Sequence, residues 1–375
     1  MTLGPWALPA WVVMSGIGAL FAIVFGGMSI LFPGDSGVSQ CVAQAYGARA
    51  KTLTALFLIG AVCFGPVAVA LTAADYLGLA PLVSRDVVAA VLVGLIWVLL
   101  LRRIAALGHV AFVLSTGAAV LLATGGVGCL SGMDALPLPV EGIEPSRFGY
   151  GLLVLFWTVV GWEIIGNYSA DIRDPARTIP RAVALSVTVI AAVTLIVAAA
   201  MQSVGGQNMA VILQPVFGRF SVVLLSVLAV ALCLVTQLAF TGAVARLMTA
   251  LALEGVLPRR LGARNSAGAP TMAATMLTLV HLAVLGLVAA GVLSVEKLVA
   301  MADGFFLANA ITVLLAGVRL LRSGFMRGVA LVLTVVLGAV LLVSSWTVLA
   351  ILAGMTVWIL GHGRRGSRAA YVEGQ

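Results

Sequence analysis

The sequence predicts an all-α polytopic membrane protein, and three observations lead to that fold class. Only 9% of the 375 residues are charged, against about a quarter in soluble domains. Hydrophobic residues make up 62%, more than a soluble chain of this length can place beneath a polar surface. Long apolar runs recur along the chain, and about 20 apolar residues are what a helix needs to cross the hydrocarbon core.

Eleven apolar runs are predicted to span the bilayer. Lipid offers no partners to backbone N–H and C=O groups, so each run is expected to be helical. The predicted spans are 8–32, 53–79, 87–101, 104–127, 149–170, 180–204, 220–243, 271–292, 298–320, 328–343 and 346–360. The third and the last two are short, and a tight turn at Ser344 and Ser345 must separate the tenth from the eleventh.

The basic residues divide unequally between the two sides of the predicted bundle. With the tail over 361–375 inside, 17 of the 21 Lys and Arg residues fall on the inner side. Positive residues concentrate in cytoplasmic loops, so the C-terminus is predicted to be cytoplasmic. Because eleven is odd, the N-terminus is then outside a plasma or bacterial inner membrane. The basic residues flank spans instead of forming a stripe, which argues against nucleic-acid binding.

No cofactor or metal site is predicted. The four cysteines have no CxxC pairing or metal-like spacing, and the three histidines are far apart in the sequence. No constellation of His, Asp and Glu of the kind that enzymes use converges in the sequence. The chain is therefore not expected to be an enzyme, and its functional unit is the membrane bundle, a single domain over 1–375.

The fifth predicted span carries the most information about function. It reads GYGLLVLFWTVVGWEIIGN over 149–167 and contains Glu163 within an apolar run. A carboxylate at membrane depth is costly, so Glu163 is expected to face protein or water. Gly161 makes this helix the best candidate for a break of the kind that exposes backbone carbonyls in transporters. A packing glycine, with a glutamate bonded to a neighbouring helix, is the alternative interpretation.

Two further charged segments draw attention. Asp303 lies in the segment ADGFF over 302–306, where it is a candidate to neutralise a cation in a membrane pathway. The alternative is that Asp303 caps its helix near the membrane surface. The alternating charges over 171–181 predict a salt-bridged hinge, with a solvated loop of inner-side arginines as the alternative.

Five segments together resemble the amino acid–polyamine–organocation transporter superfamily, particularly its amino-acid permease and exporter branches. They are FPGDSGVSQCVAQAYG (32–47), FWTVVGWE (156–163), DIRDPARTIPRA (171–182), ARLMTALALEGVLP (245–258) and ADGFF (302–306). Each is weak alone, and the run that follows the Glu163 helix is the most specific.

The resemblance implies an inverted-repeat fold of five plus five helices with two further C-terminal helices. In this chain, 8–127 would be a partial first repeat, 149–320 the second repeat and 328–360 the two extra helices. The residues similar to the family's second helix begin almost at Met1. The family's first helix, which contributes half of the usual binding site, is therefore expected to be absent.

The resemblance also implies a substrate site at the broken fifth span. The implied substrate-binding residues are Trp157, Thr158, Gly161, Trp162 and Glu163. Backbone carbonyls near the break would meet the ammonium group of the substrate, and Trp157 would form an aromatic gate. Asp303 and His109 are candidates for the pathway or for coupling to a proton or sodium ion.

The leading hypothesis is secondary active transport, by uptake or export, of amino acids or related small organic cations through alternating access. The alternative is a transport-inactive homologue with a sensory or partner-binding role, since the expected absence of the first helix removes part of the usual site. The partners implied are an amino-acid substrate and the lipid bilayer.

The predicted topology can be tested at Thr2. In a chain whose native cysteines are replaced by serine, we expect Thr2→Cys to react with a membrane-impermeant maleimide in intact cells, because an odd number of spans places the termini on opposite sides. Ser367→Cys is the control and should react only after lysis. Labelling of Thr2→Cys only after lysis would contradict the count of eleven.

Overall fold

The computed structural model describes residues 3–79, 82–102, 104–132, 139, 142–205, 209–342 and 345–361. Within these ranges the chain forms α-helices and short 3₁₀ segments, and no strand. Most of the predicted tail over 361–375 and part of the predicted turn at Ser344 and Ser345 lie outside the described residues. The prediction of an all-α fold is confirmed.

The first half of the described chain contains seven α-helices. They are α1 (Ala7–Leu31), α2 (Ser39–Tyr46), α3 (Ala48–Leu77), α4 (Arg85–Leu100), α5 (Ile104–Leu130), α6 (Pro145–Phe156) and α7 (Ile165–Tyr168). Short 3₁₀ segments precede α1 and flank α7 on both sides, at Gly4–Trp6, Trp162–Ile164 and Ser169–Asp171.

The second half contains a further seven α-helices. They are α8 (Pro175–Ser203), α9 (Ala210–Phe217), α10 (Ser221–Leu253), α11 (Thr271–Ala289), α12 (Val295–Leu320), α13 (Gly324–Leu342) and α14 (Trp346–Gly361). Two 3₁₀ segments, Gly218–Phe220 and Arg259–Gly262, lie on either side of α10.

Eight helices of the described chain are long and apolar enough to cross a membrane. Three predicted spans fall outside this set. Two of them, 87–101 and 346–360, correspond to α4 and α14 with 16 residues each, which rise about 24 Å at 1.5 Å per residue. The third, 149–170, is interrupted. The multi-pass helical fold is thus established, while the count of eleven and the inverted repeat stay predictions.

Several helix bounds differ from those that apolarity predicted, and local chemistry explains them. α8 begins five residues before the predicted start because Pro175 occupies its first turn, where the missing N–H of proline costs nothing. α10 continues past the predicted end at 243 to Leu253. α9 was not predicted; it is an eight-residue helix in the connection before α10.

α3 lies at the centre of the described bundle. It packs most extensively on α12 and α10 and also contacts α2, α4, α11 and α14. Most of its residues are buried, including Phe57, Leu71 and the interior Pro66. Around it, α1 packs on α8, α6, α7 and α13, while α5 packs on α8, α9 and α10.

The loop that follows α1 is hydrogen-bonded to α7 and to the 3₁₀ segment that follows it. The Gly34 N–H donates to Ser169 Oγ at 2.9 Å, and Asn167 Nδ2 donates to the carbonyl of Asp35 at 2.9 Å. Gly166 allows this approach because it has no side chain: a Cβ there would lie 2.8 Å from the backbone nitrogen of Val38. The loop therefore takes its position from α7.

We expect Gly166→Ala to destabilise the protein. The added methyl group would push two hydrogen-bonded backbone segments apart, and overpacking of this kind typically costs about 1–3 kcal/mol. The measurement is the apparent Tm of the purified protein in detergent. Gly354→Ala is the matched control, since a Cβ at Gly354 meets no atom within 4 Å, and its Tm should equal or slightly exceed that of the wild type. An equal Tm for the Gly166 and Gly354 variants would contradict the close contact between Gly166 and the loop that follows α1.

Candidate functional site

The predicted break in the fifth span is present at Gly161. α6 ends at Phe156, residues 157–161 form turns, and the chain becomes helical again only at Trp162. Gly161 has φ +128°, a conformation that residues with side chains rarely adopt. An interrupted helix leaves backbone groups without their regular partners, so this stretch is the part of the bundle where a ligand can meet main-chain polar groups.

Glu163 is hydrogen-bonded to the backbone at the break. Its side chain is 2% exposed, and its Oε2 accepts a hydrogen bond of 2.9 Å from the Gly161 N–H. The described ion pairs do not include Glu163. Among the described residues, the carboxylate is therefore bonded to its own segment and has no bond to a neighbouring helix, which was the alternative interpretation of the sequence.

Aromatic rings from three elements meet beside the break. Trp157 packs edge-on against Phe306 of α12, with ring centroids 6.4 Å apart, and Phe306 packs edge-on against Phe240 of α10 at 5.3 Å. We call Trp157, Phe240 and Phe306 the aromatic cluster. A Cβ on Gly161 would lie 3.5 Å from the Phe240 ring, so the break and the cluster are adjacent.

The other predicted substrate-binding residues point elsewhere. Thr158 and Trp162 line a cavity of about 40 Å³ between the turn, α1 and α8, and the Thr158 hydroxyl donates to the carbonyl of Leu155 at 2.7 Å. A cavity of this size holds about one water molecule. The structure thus places Trp157 and Gly161 toward α10 and α12, and Thr158 and Trp162 toward α1 and α8.

Asp303 lies in the interior of α12. That helix begins at Val295, and its N-cap is Ser294, whose side chain accepts a hydrogen bond from the Lys297 N–H. The interpretation of Asp303 as a helix cap is therefore wrong. Its Oδ1 is buried and has no hydrogen-bond partner among the described residues. Residues three apart share a helix face, so Asp303 lies one turn from Phe306 on the face of the aromatic cluster.

His109 is exposed on α5, a helix that packs mainly on α8, α9 and α10. The described contacts do not bring it to the break. Its role in coupling stays a prediction.

A network of charged residues lies at one end of the bundle, which we call the arginine-rich end after Arg102, Arg246 and Arg264. Arg246 of α10 is only 6% exposed, and its Nη1 pairs with Asp171 and, at 3.2 Å, with Asp35 Oδ1. Asp35 pairs in turn with Arg264. The network joins the loop after α1, the segment after α7, α10 and the loop before α11.

The ring of Tyr168 packs against the guanidinium of Arg246. The Arg246 guanidinium carbon lies 5.4 Å from the centroid of the Tyr168 ring, and the Tyr168 hydroxyl donates to the carbonyl of Ala239 at 2.7 Å. The sequence predicted a salt-bridged hinge over 171–181, but the only described pair inside it is the exposed contact between Arg177 and Asp174. Asp171 instead reaches α10.

A cavity of about 770 Å³ opens beside this network. It extends from the loop containing Arg264 and Pro270 to Val235, near the middle of α10, and its walls come from α4, α5, α10 and the start of α11. Most of the lining side chains are apolar or small, and its polar side is formed by Asp171, Tyr168 and three arginines, Arg102, Arg246 and Arg264. Asp171 and Arg246 both lie in motifs described in the sequence analysis. Those motifs give no indication of a cavity, because the helices that enclose it are distant in sequence.

Comparisons with known proteins can be set beside this geometry. The sequence model of the amino acid permease family matches residues 2–362. The chain is also similar to the L-methionine/branched-chain amino acid exporter YjeH of Escherichia coli strain K12, with 26% identity over 192 residues. The aligned region covers 47% of this chain and 43% of the exporter, so the chain spans less than half the length of that curated relative.

The hydrogen bond at the break predicts different outcomes for two changes of Glu163. Glu163→Gln should keep the apparent Tm of the purified protein, because the amide oxygen can accept the same bond from the Gly161 N–H. Glu163→Ala leaves that partly buried N–H without its partner, and we expect a loss of about 1 kcal/mol in stability, the low end of the cost of an unsatisfied buried donor. Glu296→Ala, at an exposed position in the first turn of α12, is the control. If Glu163→Gln melts like Glu163→Ala, the charge and not the acceptor holds the break.

Proposed function

We propose that this chain, which belongs to the amino acid permease family, transports amino acids with apolar side chains by secondary active transport. The single observation that carries the proposal is the break at Gly161 beside the aromatic cluster. The family and the curated relative are transporters, so the chain is a transporter and not an enzyme.

The chemistry of the break suits the ammonium group of an amino acid. Backbone carbonyls released at an interrupted helix carry partial negative charge toward a bound cation, and the Trp157 ring can add cation–π attraction. Glu163, buried next to Gly161, contributes negative charge or a proton site close to the same atoms. We propose Trp157 and Gly161 as the substrate-facing residues of the turn.

Two observations support the proposed substrate class. The aromatic cluster beside the break offers apolar rings, which favour an apolar side chain over a charged one. The E. coli relative is named as an exporter of L-methionine and branched-chain amino acids. Together they favour methionine, leucine, isoleucine and valine among the amino acids.

We further propose that the arginine-rich end faces the cytoplasm, in accordance with the predicted charge asymmetry. Alternating access would then require the network around Arg246 to open when the bundle opens inward, because it ties the loop after α1 and the segment after α7 to α10. Asp303, a buried acid with an unpartnered oxygen, is the proposed carrier of a coupling proton or sodium ion.

Reconstitution of the purified chain in proteoliposomes tests the function. We expect labelled leucine or methionine to accumulate inside the vesicles under a proton or sodium gradient, with other apolar amino acids as competitors and lysine and glutamate as non-competitors. Absence of transport for every amino acid in the panel would contradict the proposal and favour the sensory or partner-binding role.

The role of Trp157 makes a specific prediction. Trp157→Ala should raise the apparent KM for leucine several-fold with a smaller change in the maximal rate, since loss of a cation–π contact costs about 0.5–2 kcal/mol. Trp157→Phe should retain most of the affinity because it keeps a ring. Trp346→Ala, which removes a tryptophan that is 78% exposed, is the matched control. A Trp157→Ala protein with lower yield but an unchanged KM would indicate a packing role only.

A further inference from the structure

The cavity at the arginine-rich end is separate from the break, although one segment contributes to both. Trp157 and Gly161 lie at the start of the segment 157–171, and Tyr168 and Asp171 lie at its end. The cavity is lined by the latter pair and by neither of the former. Its volume of about 770 Å³ falls in the range of roughly 300–1,000 Å³ that small-molecule sites occupy.

The polar side of the cavity presents both signs of charge. Asp171 uses Oδ2 for Arg246, and among the described residues its Oδ1 has no hydrogen bond. Arg246 uses only Nη1 for its two carboxylates, so the described contacts leave its Nε and Nη2 donors for another acceptor. A ligand carrying an ammonium and a carboxylate on adjacent atoms could bond to both residues without breaking the existing pair.

The remaining walls offer apolar surface. Leu100 of α4, Ala111 of α5 and Val235 and Leu238 of α10 all line the cavity. Arg102 and Arg264 line the same cavity, and Asp35 pairs with Arg264. A phosphate-bearing lipid fits beside Arg246 less well than a zwitterion, because the 41% exposed Asp171 side chain would repel its headgroup there. Asp171 and the buried Arg246, which lie together beside an apolar wall, match a zwitterion with an apolar side chain.

We propose that this cavity is a second binding site for an apolar amino acid, in which Asp171 binds the ammonium group and Arg246 binds the carboxylate. The inference rests on the proposed function for the identity of the substrate. The cavity would hold the amino acid at the arginine-rich end before or after it occupies the break, and the segment 157–171 would connect the two sites.

Equilibrium binding of labelled L-leucine to the full chain in lipid nanodiscs tests the site. We expect two leucine molecules per wild-type chain and one per Asp171→Asn chain, whereas Trp157→Ala should still bind two at saturation, one of them several-fold more weakly. Asp174→Asn is the matched control, because Asp174 lies three residues away and its described ion pair is an exposed contact with Arg177. Isoamylamine lacks the carboxylate and 4-methylpentanoate lacks the ammonium group, so neither should displace the leucine that is lost in Asp171→Asn.

A second variant, which blocks the cavity sterically, tests the site independently of whether Asp171→Asn folds. Ala111→Trp should fill the cavity and remove one bound leucine, whereas Val113→Trp, at a 66% exposed position on the same helix, should bind two. Full leucine binding by both Asp171→Asn and Ala111→Trp overturns the second site, as does a wild type that binds one leucine or none.

Transport measurements on the same variants distinguish a failure of the second site from a failure of the proposed function. Wild-type transport with unchanged leucine binding in the two cavity variants overturns the second site alone. Leucine binding that depends on Asp171, in a chain that transports no amino acid, supports the site and overturns the proposed function.

Discussion

A backbone N–H inside a membrane protein needs a partner, and at Gly161 that partner is the carboxylate of Glu163. The bond spans two residues, so the acid stabilises the interruption that its own segment creates. An unsatisfied buried donor costs about 1–3 kcal/mol, so the bond to this partly buried N–H stabilises the turn. The turn, the orientation of Trp157 and the aromatic cluster all depend on this local arrangement.

At the arginine-rich end, the buried guanidinium of Arg246 holds the surrounding segments in place. The guanidinium is buried while its partners Asp171 and Asp35 are partly exposed. An unpaired buried charge is costly, so these pairs hold both carboxylates near α10. Tyr168 covers one face of the guanidinium. Because these partners come from separate segments, the position of each loop depends on one side chain of a central helix.

The segment 157–171 links the two regions. Its first residues form the turn beside the aromatic cluster, and its last residues line the cavity of about 770 Å³. Between them, α7 has only four residues, and Gly166 and Asn167 bind the loop after α1. The turn at Gly161 and the network around Arg246 are therefore joined by a short segment that contacts the loop after α1.

The sequence by itself determined the helical membrane fold, most helix bounds and the break, because apolarity, an acid at membrane depth and a glycine are local signals. It did not determine which side chains share a site. Thr158 lies next to Trp157 in the chain but faces α1 and α8, whereas Phe240 and Phe306 join Trp157 from distant helices. The partners of Asp171 and the cavity beside it likewise arose only from tertiary packing, since the contacts that create them connect residues far apart in sequence.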